Sequence, residues 1–578
     1  MATETTTAVR VCSLAELERD RFRVLSAEGR VILVLIDQGQ VFALDNRCPH
    51  MGFPLHRGTV RDGILTCHWH HAKFDLAGGC TLDPFADDVP AFPVEVRDGD
   101  VYVDPHPIAR DDRRQHWSRK LTEGLEQNIR LVLAKSVIGL DELGATEDVL
   151  TEAALFGVQN RDSGWSTGLS ILTAMANVLP SLTPEDRRLA LYHGLVHVGQ
   201  STAGQPPSFD LEPLDTVETR PERYVDWFRR FVDSRSQDAA ERTLRTAIRL
   251  GLPQTDIATM VFAACTDHLY LDEGHSLDFA NKAFELLDHT GWQHAETILP
   301  SIIPNLVRAT RMEETSSWRH PVDLPSLLAE TFRDLDDLIG EGAAHPAGDW
   351  GGHEALAETI LDAEPATTVA ALRDLIREGV PLTELSAAVA YAAARRPVHF
   401  HVSNEFGDWD TVHHTLTYTN AVDQALRRAP SSLLARGIFD GAMSVYLERF
   451  LNVPKQPIPT PSSASRAPTD LLASFDIQGQ VDETAQVVTD LLAAGRHKDV
   501  IRTLGHALLR EDAGFHQFQI YEAALRQYQR FAGTPAGDHV LIGAARFLTA
   551  HSPTVRAAGQ TFDIAARLHR GEALHGDA

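Results

Sequence analysis

Cysteine is scarce in this 578-residue chain. Five occur, Cys12, Cys48, Cys67, Cys80 and Cys265, too few for a disulfide scaffold of this size. Two of them stand in metal-ligand spacing, which fits a reducing compartment. Basic charge is short as well: 53 Lys plus Arg face 80 Asp plus Glu, a formal net charge of −27. A chain that acidic repels a phosphate backbone, so nucleic acid is not an expected partner. No stretch approaches 18 consecutive apolar residues, so no helix is expected to cross a membrane. The first ten residues have no basic region followed by an apolar one, so no secretory leader is expected and the cytoplasm is the expected location.

The length predicts about three to five domains, and the chain has two textures. Residues 9–105 read as a small antiparallel β domain. Val31–Ile36 and Val41–Leu44 are short β-branched runs punctuated by Asp37-Gln-Gly-Gln40, and Phe92–Val103 alternates around Asp98-Gly99. A charged linker follows at 106–116, and from Trp117 the chain turns to Ala, Leu and Arg at helical spacing. A proline-rich linker at 453–468 separates a helical repeat domain at 117–452 from a last helical repeat at 469–578. Within the helical part, Gly251-Leu-Pro-Gln-Thr-Asp-Ile257 matches Gly379-Val-Pro-Leu-Thr-Glu-Leu385, each read as a helix stop followed by a Thr cap. His275–Asn281 matches His414–Asn420 and, more weakly, His516–Glu522, each after an acidic turn containing glycine. The fold class expected is a small all-β domain followed by a large all-α domain of about four divergent repeats.

The motif with chemistry in it lies in the β part. Cys48-Pro-His50 and, after sixteen residues, Cys67-His-Trp-His70 form C-x-H…C-x-x-H. Two thiolates on one iron and two imidazoles on the other make a Rieske-type [2Fe–2S] ligand set. Two Cys and two His also suit zinc, but the Cys-then-His order in both halves of a β domain favours the cluster. Residues 9–105 resemble a Rieske ferredoxin domain, which implies Cys48 and Cys67 as sulfur ligands and His50 and His70 as nitrogen ligands. The cytochrome-bc branch of that family has a disulfide between its ligand loops. Phe53 and Trp69 stand at those positions here, so the chain resembles the ferredoxin and oxygenase branch. His68 and His71 are expected as exposed loop histidines, Cys12 and Cys80 as structural thiols.

A Rieske centre moves one electron at a time, so the rest of the reaction must lie in the helical region or on another protein. The Asp-x-x-His-x-x-x-x-His iron site of ring-hydroxylating oxygenases is not present. Twenty-one of the 27 histidines fall after residue 110. His193-Gly-Leu-Val-His197 puts two imidazoles one turn apart on a helix, which suits chelation. His275 and His414 are the repeat-turn histidines expected to join them in a catalytic site, a possible second non-haem iron centre. Leu189–Gly199 resembles the His-containing helix of the questin oxidase-like family. That resemblance implies oxygenation of a polycyclic or aromatic ketone. No G-x-G-x-x-G follows a strand, so no Rossmann cofactor site is expected.

The leading expectation is an oxidoreductase whose Rieske domain passes electrons to an O2-activating site in the helical domain, a monooxygenase of a small organic substrate fed by an external reductase. The alternative is an electron-transfer protein whose helical array docks a separate redox enzyme.

Overall fold

The computed structural model describes residues 8–109, 112–572 and 574. The chain divides into two compact units, Met1–Glu152 with Ala557–Ala578, and Ala153–Arg556. These divisions differ from those drawn on composition at 106–116 and 453–468. Composition reports the kind of secondary structure; packing decides which helix belongs to which core. The helices Arg113–Glu126 and Arg130–Glu142 pack on each other, and the last helix, Ala557–His569, packs on the second of them. The segment 453–467 runs without regular structure up to the helix Pro468–Ser474, inside the second unit.

The first unit is built on nine strands: β1 (Val9–Ser13), β2 (Phe22–Ala27), β3 (Arg30–Asp37), β4 (Gln40–Asp45), β5 (Thr59–Arg61), β6 (Ile64–Thr66), β7 (Lys73–Asp75), β8 (Val94–Arg97) and β9 (Asp100–Val103). They form three antiparallel sheets, ordered β1-β9-β8, β2-β3-β4 and β5-β6-β7. Both expected hairpin turns form. Ile36 pairs with Val41 across Gln38 and Gly39, and Val96 with Val101 across Asp98 and Gly99; both central residues of each turn have positive φ, as two-residue hairpins of right-twisted strands require. β3 is apolar from Val31 to Ile36 because both faces of that stretch are buried. Leu33 and Leu35 enter the core around Cys48, Cys67 and Phe74, while Ile32, Val34 and Ile36 enter a second core with Leu17, Phe92 and Val101. Farther on, Gly139 lets the Trp117 indole lie against the helix backbone, since a Cβ there would stand 2.3 Å from the ring.

The second unit is helical. Four helices contact one another in a closed ring: Thr167–Val178, the His275 helix (His275–Thr290), the His414 helix (Phe406–Arg428) and the His516 helix (Phe515–Arg530). One succession occurs three times. Helices Gln237–Arg249, Pro365–Arg377 and Val481–Ala493 are followed by Gly251, Gly379 and Gly495, all with positive φ; a second helix then packs on the His275, His414 or His516 helix in turn. The expected Thr caps differ in detail. Pro253 and Pro381 cap the helices Gln254–Thr266 and Leu382–Val398, and Thr255 and Thr383 lie inside the first turn. Proline's extended backbone serves there because a capping residue needs no N–H of its own.

Candidate functional site

The two ligand loops of the first unit have the same construction. Cys48 N–H donates to Phe53 O and Gly52 N–H to Cys48 O; Cys67 N–H donates to Ala72 O and His71 N–H to Cys67 O, all at 2.7–3.0 Å. Each loop closes through one residue of positive φ, Gly52 at 75° and His71 at 62°. His71 is therefore a loop-closing residue with an exposed side chain. His68 Nε2 meets the Thr59 hydroxyl. All five cysteines are free, and the Phe53 and Trp69 rings lie 6.0 Å apart, an aromatic contact between the loops.

Cys48 and Cys67 are 2% and 1% exposed and hydrogen-bond each other, while the His50 and His70 rings meet edge to face at 4.7 Å nearer the surface. Cys48's hydrogen bond brings the Cys67 thiol down to about 6, and the same bond with burial raises Cys48. Burial, then His70 and Lys135, lowers His50 to about 4, and its buried Nδ1 has no hydrogen-bond partner. Two inward thiols and two outward imidazoles fit a cluster with a sulfur-bound inner iron and a nitrogen-bound outer one.

A second histidine group forms in the helical unit. His275, His414 and His516 each place a ligand atom within 4.8 Å of the others. His414 Nε2 lies 3.1 Å from His516 Nε2, and the His275 ring is 4.5 Å from that of His414. The opposite nitrogens face carboxylates: His516 Nδ1 is 2.9 Å from Asp410 and His414 Nδ1 is 3.4 Å from Glu273. A carboxylate at Nδ1 holds the proton there and leaves the Nε2 lone pair for a ligand. Two such lone pairs facing each other at 3.1 Å repel unless a cation or a proton lies between them. Burial lowers His275 to about 4, and burial with His275 lowers His414 to about 3, so both are neutral at physiological pH. Burial also works against the Asp410 carboxylate, but His516, His551 and His414 together hold it below its ordinary value. Ahead of His275, Tyr270, Asp272 and Glu273 all have positive φ, a costly backbone that presents Glu273 to His414.

His193 and His197, expected with this group, lie elsewhere. Both pack on the ring of Phe518, and buried His193 sets Nε2 2.9 Å from the Leu509 carbonyl. The structure thus brings His275 and His414 together and adds His516. The signal for His516 was its own segment's match to the other two. Asp410 carried one too: it stands one turn before His414 on the same helix face. Buried His413, with its ring 4.8 Å from His516, had no signal beyond adjacency. Among the described residues one other group, Asp87, Asp88 and His116, has ligand spacing, but both its ring nitrogens already face carboxylates, at 2.9 and 3.6 Å.

An antiparallel β domain whose paired loops offer Cys-x-His and Cys-x-x-His defines a Rieske iron–sulfur protein. The family model of the Rieske [2Fe-2S] domain matches residues 7–93. The 3-phenylpropionate/cinnamic acid dioxygenase ferredoxin subunit of Photorhabdus laumondii is 33% identical over 95 residues, covering 16% of this chain and 90% of that protein. Through these residues the chain belongs to the Rieske [2Fe–2S] domain family. Apoptosis-inducing factor 3 of Homo sapiens is 34% identical over 94 residues, and the match spans 16% of each protein's length. Among solved structures, the ferredoxin of carbazole 1,9a-dioxygenase from Nocardioides aromaticivorans is 26% identical, covering 17% of this chain and 98% of that one, with a TM-score of 0.17. No described helix is long and apolar enough to cross a membrane.

Proposed function

We propose that this chain is an oxygenase carrying its own ferredoxin. Cys48, His50, Cys67 and His70 would hold a Rieske cluster fed by a separate reductase, and His275, His414 and His516 would hold a non-haem iron that draws its electrons from that cluster. The observation that carries the reading is the pair of facing Nε2 atoms, 3.1 Å apart, each on a ring whose other nitrogen faces a carboxylate. Three imidazoles leave coordination positions open, and iron bound there would supply O2 activation. Similarity to a dioxygenase ferredoxin subunit supports the electron-carrying half of the reading.

The chain's own residues set the conditions. Asp410 and Glu273 orient the His516 and His414 rings. Insertion of one oxygen atom consumes two electrons and two protons and releases water, so a one-electron cluster must be loaded twice per turnover. Acidic and amide groups continue inward from the site: Gln519 bonds His413 at 3.3 Å and also the Asp278 carboxyl, whose pKa burial has raised to about 7. Asp278 thus holds an exchangeable proton near neutral pH. Phe279, stacked on His275 at 5.4 Å, and Phe515 at 5.7 Å give the site an aromatic wall that suits an aromatic or polycyclic ketone.

The test is iron and acid-labile sulfide per chain. More than two irons with two sulfides, falling to two in the His414→Ala/His516→Ala variant while the Rieske spectrum persists, is the expected result. Two irons in both proteins would instead favour an electron carrier that docks a separate enzyme.

A further inference from the structure

Lys135 is 6% exposed, with the ammonium group enclosed beside the iron–sulfur loops. It belongs to the helix Arg130–Glu142, well beyond residues 7–93 that match the Rieske domain. Its Nζ donates to the carbonyl of Pro49, the residue between the ligands Cys48 and His50. That bond sets its charge against the loop that carries Cys48 and His50. The other charges facing it are Asp87, which supports the ammonium, and Lys120, which opposes it. Asp87 is itself 2.9 Å from His116 Nε2, so its carboxylate is shared between Lys135 and that ring.

Burying an ammonium costs several kcal/mol unless a nearby negative charge compensates. Here the compensation is incomplete, since burial still lowers the Lys135 pKa. A thiolate-ligated cluster gains one negative charge when reduced, and that charge develops beside this side chain. A donor and a cation held against the ligand loop stabilise the reduced state more than the oxidised one, which raises the reduction potential.

We propose that Lys135 is a positioning residue of the Rieske centre: from the helical segment that follows the β domain, it fixes the Cys48–His50 loop through Pro49 and raises the cluster's reduction potential. The proposal rests on the cluster alone and is independent of the second histidine group.

The experiment uses the full chain with its cluster loaded, and compares Lys135→Met, Lys135→Gln and Lys135→Arg by redox titration followed by electron paramagnetic resonance. Lys135→Met, which removes donor and charge, should lower the equilibrium constant for reduction at least tenfold, or about 59 mV for one electron. Lys135→Gln, which keeps a donor, should fall between that value and the parent, and Lys135→Arg should stay near the parent. If Lys135→Met fails to load its cluster, the Gln and Arg variants decide: equal potentials overturn the proposal. A loaded Lys135→Met protein with the parent potential overturns it too, because a merely structural lysine would change stability without moving the potential.

Discussion

The two histidine groups of this molecule are assembled in opposite ways. Cys48, His50, Cys67 and His70 fall within 23 residues on two short loops, each closed by its own backbone hydrogen bonds. His275, His414 and His516 come from three helices of one ring, with more than 100 residues between successive members. The first group is local: its geometry follows from a turn that a strand pair can hold. The second exists only when the whole ring is packed, so its integrity is bound to the stability of the helical unit. The chemistry differs correspondingly. Two thiolates and two imidazoles suit reversible one-electron transfer, and three imidazoles suit a metal with positions open.

The largest expected effect breaks the local group alone. Cys67→Ser should abolish the visible iron–sulfur absorption, because the inner iron loses a thiolate, while the far-ultraviolet dichroism of the helices stays at the parent value. Second, Lys282→Met tests the packed ring on which the distributed group depends. Lys282 is fully buried, with Nζ 2.8 Å from Glu285 and 2.6 Å from Glu522 on the His516 helix. Its loss leaves two buried carboxylates facing each other, which should cost about 3–5 kcal/mol in urea unfolding and leave the Rieske absorption in place.

These same elements explain what could be read from the chain. The cluster was legible because ligand order and spacing are local, and β3 and the Asp37–Gln40 hairpin were legible because a two-residue turn and a buried strand each have a short signature. The helical texture was legible for the same reason. The convergence of His516 with His275 and His414 was only partly so, because the matching segments show that positions are related without showing that they meet in space. His193 and His197 have chelating spacing, yet a helix face is also a packing face, and Phe518 takes both rings. Lys135 gave no sign at all, since nothing about a lysine in a helix tells which loop lies over it.

A third expectation separates the units by pH. Burial lowers His399 to about 4, with Nδ1 2.9 Å from the Gln456 carbonyl. The unfolded chain takes up a proton near pH 6.5 that the folded chain refuses, so stability present above 6.5 is lost as the pH falls toward 4. His399→Gln should remove roughly 2–3 kcal/mol of that acid sensitivity, read as a flatter urea midpoint between pH 7 and 4.5. The smallest effect concerns a group that only orients a ligand. Asp410→Asn should weaken metal retention in the helical unit about 10–100-fold, measured by chelator competition, with the Rieske potential unchanged.

The most direct test of the account follows electrons from one centre to the other. The full chain is reduced with one equivalent of dithionite, freed of excess reductant and mixed rapidly with O2 and an aromatic ketone, while the Rieske absorption is followed. Reoxidation should be at least tenfold slower in His414→Ala/His516→Ala than in the parent, with the cluster's own spectrum and potential unchanged. Equal reoxidation rates in the two proteins would contradict it.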